Sequence, residues 1–118
     1  MSQRDMLLTH AKQNFGVTPD FPFKQYPRYA VLRHTDSERW FALFMNVKNT
    51  SLGIEGLGEK EILDIKCKPE VIGSLRKQPG FLPAYHMNKE HWITVLLDGT
   101  IEDKQIFQLL SDSFELTA

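Results

Sequence analysis

The chain has 118 residues, 42% of them hydrophobic and 25% charged, and 14 Lys and Arg against 15 Asp and Glu give a formal net charge of −1. This length suits one domain over residues 1–118, and the composition excludes the low hydrophobicity and high charge of disordered chains. The balanced charge excludes a chain-wide basic field, and the single cysteine, Cys67, excludes an internal disulfide.

A cytoplasmic protein is the expectation for the cellular location. The first 13 residues are polar and amphipathic and lack the apolar core of a signal peptide. No later stretch approaches the ~20 consecutive apolar residues of a membrane span. We therefore expect a reducing compartment and no contact with a membrane.

The first half of the chain predicts a helix, a loop and a hairpin. Ser2 and Asp5 form a capping pattern, and apolar residues then recur at helical spacing up to Gly16. Residues 17–27 contain three prolines and three aromatics, which indicates a tethered loop with at most a short edge strand. Residues 28–34 alternate, and residues 40–47 are almost continuously apolar, as in a central strand covered on both faces.

The middle of the chain predicts a third strand and a short helix. Three glycines in residues 49–58 indicate a flexible loop before a strand over residues 60–68. Alternation points Leu63, Ile65 and Cys67 toward the core, and we expect the opposite face of this strand to be exposed to solvent. That face carries Ile62, Asp64, Lys66 and Lys68. Pro69 suits the first turn of a helix that ends at residues 78–80.

A second hairpin and a closing helix complete the chain. Residues 81–86 and 91–97 form its two predicted arms, and Thr100 with Asp103 offers a capping box for the last helix. The predicted order is therefore α-β-β-β-α-β-β-α. Short connections favour an antiparallel sheet with the helices on one face, which is a two-layer α+β domain.

Several segments of the sequence form a recognisable set of motifs. HMNKEHWITVLLDG stands at residues 86–99, and a predicted helix ends in DSFEL at residues 112–116. FPF at 21–23, WFAL at 40–43 and a strand-Pro-Glu-helix unit over 66–75 accompany them. In these motifs and in their order, the sequence resembles the MmcQ/YjbR family. The resemblance implies a CyaY-like, double-wing fold, similar also to secretion chaperones, and a DNA-binding role.

The polar residues of the second hairpin are the densest candidate site. Lysine and protonated histidine donate hydrogen bonds to phosphate oxygens, and further basic side chains could steer a phosphate backbone. The predicted nucleic-acid or anion contacts are Lys66, Lys68, Arg76, Lys77, His86, Asn88 and Lys89. The structural alternative stays open, because His and Asn commonly satisfy turn backbones and basic side chains commonly form a solvated face.

No catalytic residue, metal site or cofactor is predicted. His86 and His91 have only Glu90 as a nearby carboxylate, whereas a catalytic zinc needs about three protein ligands. Cys67 lies in a strand pattern and points inward, and the glycines of residues 53–58 match no phosphate-binding fingerprint. An enzyme is therefore the least favoured class.

The sequence predicts a non-enzymatic binding module with DNA or another nucleic acid as its leading ligand. The alternative is a protein-interaction or chaperone-like module that binds a partner segment by strand addition or apolar docking. Four aromatics would contribute to that surface: Phe21, Phe23, Tyr26 and Tyr29. A monomer and a homodimer are both compatible with these patterns.

Overall fold

The computed structural model describes residues 2–118, and its elements follow the predicted order. The helices are α1 (Gln3–Phe15), α2 (Pro69–Leu75) and α3 (Asp103–Leu116). The strands are β1 (Ala30–Arg33), β2 (Trp40–Lys48), β3 (Glu59–Lys66), β4 (Phe81–Pro83) and β5 (Trp92–Leu96), and a short 3-10 helix, Asn49–Leu52, follows β2. Among residues 2–118, no helix is long and apolar enough to cross a membrane.

All five strands form one antiparallel sheet in the spatial order β1-β2-β3-β5-β4. After β3 the chain passes through α2 to the outer strand β4, and β5 then returns between β4 and β3. The predicted fold class is confirmed: the protein is a two-layer α+β domain with its helices on one face of the sheet.

The two long helices begin differently from each other. The Ser2 hydroxyl accepts a hydrogen bond from the Asp5 backbone N–H at 3.1 Å, which forms the predicted cap of α1. The predicted capping box of α3 is wrong, because Glu102 occupies the cap position without a side-chain bond to the helix. The Thr100 hydroxyl instead donates to Asp98 at 2.6 Å and stabilises the preceding turn.

Apolar clusters lie on both sides of the sheet. The helix side is buried by side chains of all three helices, among them Leu7, Ala11, Ile72, Leu75, Ile106 and Leu110. We call the opposite side of the sheet the loop side, because loops cover it. The buried apolar residues of the loop side are Val31, Leu43, Met45, Val47, Ile62 and Leu96. The expectation of a solvent-exposed face on β3 is therefore wrong at Ile62 and Asp64, which are both fully buried.

A bulge in β2 sets which side chains reach the loop side. Leu32 pairs with Ala42 whereas the next residue, Arg33, pairs with Trp40, so Phe41 is an extra residue in the ladder. Phe41 and Ala42 both pack in the helix-side core. Trp40 consequently packs against the loop-side cluster.

Candidate functional site

The loop side carries a groove of about 600 Å³, which we call the aromatic groove. Its floor is formed by β2 through Trp40, Leu43, Met45 and Val47. One wall comes from the α1–β1 loop (residues 16–29) and the other from the β4–β5 loop (residues 84–91). The side chains of these walls are Phe23, Tyr26 and Tyr29 on the first and Tyr85, His86 and Met87 on the second.

Backbone bonds tie the first wall to the edge of the sheet. Asp20 and Val31 exchange backbone hydrogen bonds of 2.9 and 2.8 Å, which is the short edge pairing that the sequence allowed. The Phe23 ring then meets the rings of Tyr29 and Trp40 edge to face, at centroid distances of 6.1 and 6.0 Å. Such packing holds aromatic rings in defined orientations beside the groove.

The second wall contains an unusual backbone conformation. His86 has a φ of 62°, in the left-handed region that side chains with a β-carbon rarely adopt. Its ring lies 4.1 Å from that of Tyr85, whose backbone N–H donates to the Thr94 hydroxyl at 2.9 Å. Asn88 closes the same loop, because its side-chain oxygen accepts the Glu90 N–H at 2.8 Å.

The polar part of the groove has balanced charge. Lys48 and Glu59 are directly opposed on β2 and β3, and both line the groove. Burial raises the pKa of Tyr29 above its ordinary value, and the neighbouring Tyr85, Tyr26 and Glu59 raise that pKa further. The Tyr29 hydroxyl therefore stays protonated and can donate a hydrogen bond to a ligand.

A buried carboxyl group lies beside the groove floor. Asp64 pairs in register with Leu43, and its Oδ1 accepts a hydrogen bond from the Thr94 hydroxyl. Its Oδ2 is buried and has no partner among the described residues. Burial raises the pKa of Asp64 to about 7, although the Thr94 bond and the charge of Lys89 lower it. Sequence reasoning assigned Asp64 to a solvated face; the available signal was an acid among apolar residues in a central strand.

The seven sequence-predicted contacts are divided between the two layers. His86, Asn88 and Lys89 are exposed in the β4–β5 loop, and Lys66 ends β3 in register with Trp92. The other three lie at the ends of α2, which packs on the helix side: Lys68, Arg76 and Lys77. Lys68 also shares a cleft of about 370 Å³ with the carboxylates Asp112 and Glu115. All seven remain predictions as ligand contacts.

The protein has one cysteine, and burial keeps it in the thiol form. Cys67 packs in the helix-side core, and burial, helped by the Asp112 carboxylate, raises its pKa to about 11. Within residues 2–118, no three His, Cys, Asp or Glu side chains are grouped closely enough to hold a metal ion. The side chains that line the groove offer aromatic contact and hydrogen bonding.

Comparison with known proteins identifies relatives along nearly the whole chain. YyaQ of Bacillus subtilis, named as an uncharacterized protein, is 44% identical over 117 residues, which are 99% of each protein. YjbR of Escherichia coli K12, also named as uncharacterized, is 32% identical over 78 residues, covering 64% of this chain and 66% of that protein.

Two solved structures share the fold. A crystal structure of a Pseudomonas syringae protein superposes with a TM-score of 0.95 at 47% identity and covers 98% of each chain. The crystal structure of the Deinococcus radiodurans protein DR2400 gives a TM-score of 0.74 at 28% identity, over 98% of this chain and 78% of that one. The model of the YjbR family matches residues 13–116. The chain therefore belongs to the YjbR family, as its sequence motifs indicated.

Proposed function

We propose that this protein is a non-catalytic binding module that holds an apolar or aromatic segment of a partner protein in the aromatic groove. The observation that carries the proposal is the groove itself, about 600 Å³ in volume and formed by aromatic side chains of two loops over a sheet floor. Ligand sites in proteins are typically concave, mostly apolar and roughly 300–1,000 Å³ in volume.

The lining of the groove favours a protein segment over a charged ligand. Aromatic side chains and methionine are enriched at protein interfaces, and Trp40, Tyr85 and Met87 all line this groove. The opposed charges of Lys48 and Glu59 leave no net charge between them. Tyrosine hydroxyls at the walls can still bond to the backbone of a bound segment.

The edges of the sheet favour docking on its face over strand addition. At the β1 edge, the backbone N–H and C=O of Val31 are already paired with Asp20. At the other edge, β4 has only three residues and ends in Pro83, which has no N–H to donate. A partner segment would therefore insert side chains into the groove instead of extending the sheet.

A single-stranded nucleic acid is the second candidate ligand, and one observation favours it. Lys48 lines the groove, and Lys89 is exposed in the loop that forms its second wall. Proteins that bind single strands combine stacking aromatics with basic side chains along the backbone path. Arg76 and Lys77 lie at the end of α2 on the helix side, which favours a single strand in the groove over a duplex along one basic face.

Peptide selection tests the first candidate. A random dodecapeptide library would be panned against the protein, and enriched peptides would be titrated by fluorescence anisotropy against wild type and Tyr26→Ser/Tyr85→Ser. We expect apolar or aromatic peptides, with affinity lowered about ten-fold or more in the double variant. Phe21→Ser is the matched control, because Phe21 is 53% exposed and Tyr26 52%, but only Tyr26 lines the groove. Equal binding to the double variant would contradict a groove site.

A salt series tests the nucleic-acid candidate. Labelled single-stranded and duplex oligonucleotides would be titrated against wild type, Lys48→Ala/Lys89→Ala and Arg76→Ala/Lys77→Ala. If a single strand binds in the groove, each lost phosphate contact reduces the slope of log K against log salt concentration by about 0.7. We expect this effect in Lys48→Ala/Lys89→Ala and not in Arg76→Ala/Lys77→Ala. If neither oligonucleotide binds at low salt, the nucleic-acid candidate is excluded.

A further inference from the structure

A short chain of hydrogen bonds connects the buried Asp64 carboxyl to the second wall of the aromatic groove. Thr94, fully buried on β5, donates its hydroxyl hydrogen to Asp64 Oδ1. The same hydroxyl oxygen accepts the backbone N–H of Tyr85 at 2.9 Å. Tyr85 begins the three-residue wall of residues 85–87, so two hydrogen bonds separate the carboxyl from the groove.

The donor roles in this chain leave one oxygen for the titrating proton. The Thr94 hydroxyl has a single hydrogen, which it donates to Asp64 Oδ1, and its oxygen also accepts the Tyr85 N–H. The proton of the neutral acid therefore belongs on Oδ2, which is buried and unpartnered within residues 2–118. When that proton leaves, a buried negative charge has one hydrogen bond for two oxygens, an arrangement that is costly without a new donor.

The charged groups facing Asp64 come from two elements. Lys66 is on β3 itself, two residues away and half-buried, and Lys89 is exposed in the β4–β5 loop. The facing positions on the neighbouring strands carry no charge: they are Leu43 on β2, Thr94 and Trp92 on β5 and Leu82 on β4. The β4–β5 loop also carries the titratable groups Tyr85 and His86. Of these groups, Lys89 lowers the pKa of Asp64 through its positive charge.

The loop that carries Lys89 also contains a strained backbone position. His86 holds a left-handed conformation, with φ of 62°, between Tyr85 and Met87 in the groove wall. Conformations of this kind are maintained only while the surrounding contacts compensate for their strain. The Tyr85–Thr94 bond is one of those contacts.

We propose that loss of the Asp64 proton draws Lys89 or water toward Oδ2, displaces the Tyr85–Met87 wall and weakens ligand binding in the aromatic groove. The inference rests on the proposed function for its ligand, but the displacement of the wall does not. The pKa of about 7 places the change near neutral pH. Groove occupancy is then higher at mildly acidic than at mildly alkaline pH.

NMR tests the displacement without a ligand. The Asp64 carboxyl carbon and the backbone amides of residues 85–87 would be followed between about pH 5.5 and about pH 8.5, the range that brackets this ionisation. We expect the amide shifts of the wall to follow the same midpoint as the Asp64 carboxyl and to lose that response in Asp64→Asn. The proposal is overturned if the amide shifts of residues 85–87 in wild type do not change with the same pH midpoint as the Asp64 carboxyl. This comparison uses wild type alone, so it does not depend on whether a variant folds.

Peptide binding tests the consequence and separates the two proposals. For a selected groove peptide, we expect wild-type affinity to fall about five-fold or more across that pH range and to stay constant in Asp64→Asn. His86→Asn is the control for the neighbouring imidazole, because asparagine tolerates a left-handed backbone and does not titrate. We expect the peptide affinity of this variant to fall across the pH range as it does in wild type. Binding that does not change with pH, in a wild type whose wall follows Asp64, overturns the switch. Absence of groove binding at every pH, with the wall response intact, overturns the proposed function instead.

Discussion

The hydroxyl of Ser113 on α3 donates a hydrogen bond of 2.6 Å to the carbonyl oxygen of Phe41 on β2. The same hydroxyl accepts the backbone N–H of Lys66 on β3 at 2.9 Å. Phe41 is the bulged residue that turns Trp40 toward the aromatic groove. One buried side chain on the last helix therefore satisfies two backbone groups where the bulge interrupts the ladder, and it connects the helix layer to the groove floor.

Ser113→Ala is expected to lower the free energy of unfolding by about 1–3 kcal/mol, because two backbone groups lose their shared partner. Urea unfolding followed by circular dichroism measures the change. Ser111→Ala on the same helix is the control, because Ser111 is only partly buried, and it should stay within about 0.5 kcal/mol of wild type. Equal midpoints for both variants would show that the Phe41 and Lys66 groups find other partners.

The stability of the protein should fall between about pH 4 and about pH 7 because of Asp64. The unfolded carboxyl ionises near 3.8, whereas the folded carboxyl retains its proton up to about 7. The folded state therefore binds more protons in this window, and its stability decreases as pH rises. The difference between these two pKa values corresponds to a loss of about 4 kcal/mol in the free energy of unfolding across the window.

Asp64→Asn removes this contribution, so the variant should gain stability relative to wild type as pH rises through the window and gain nothing further above it. Chemical unfolding of both proteins at a series of pH values gives the difference directly, because most other titrating groups cancel. A difference independent of pH would indicate that the Asp64 carboxyl ionises in the folded protein at its ordinary pKa.

Gly80→Ala should destabilise the protein more than Gly99→Ala. Both glycines have positive φ, 94° and 88°, but a β-carbon at Gly80 would lie 2.7 Å from Cγ1 of the buried Ile101. A β-carbon at Gly99 meets no atom within 4 Å. We expect the overpacking to add about 1–3 kcal/mol to the backbone strain that both variants share, measured by thermal unfolding. Equal losses would mean that Ile101 moves aside freely.

Cys67 should react slowly with iodoacetamide in the folded protein. Burial raises its pKa to about 11 from the ordinary 9.0, which alone lowers the thiolate fraction about 100-fold at pH 8. Mass spectrometry of timed samples, with and without denaturing urea, measures the ratio of rates, and the single cysteine makes the assignment unambiguous. Similar rates in the two conditions would show that β3 opens readily near its end.

Much of the fold was predictable because its signals are local. The nearly unbroken apolar run from Trp40 to Val47 predicted a strand covered on both faces, and β2 is covered on both faces. The cap at Ser2 was also predicted and is present. The capping box at Thr100 was wrong, because a threonine next to a turn can bond either to a helix or to a neighbouring aspartate, and the pattern is the same for both.

The candidate site was less predictable, because its parts are distant in sequence. The aromatics of residues 21–29 were recognised as a possible surface, and His86 as a possible contact, but nothing in their spacing indicated that Tyr26 and His86 border one groove. Asp64 was assigned to solvent because alternation identifies the two faces of a strand but not what covers each face.

The sequence by itself determined the order of helices and strands, the family and the burial of β2 on both faces, because hydrophobic periods and motifs are read within a few residues. Only the tertiary structure decided that two loops cover the loop side, that a bulge turns Trp40 into the groove, and that Asp64 is buried next to it. These features depend on strand order and on contacts between distant segments, which alternation along a single strand does not encode.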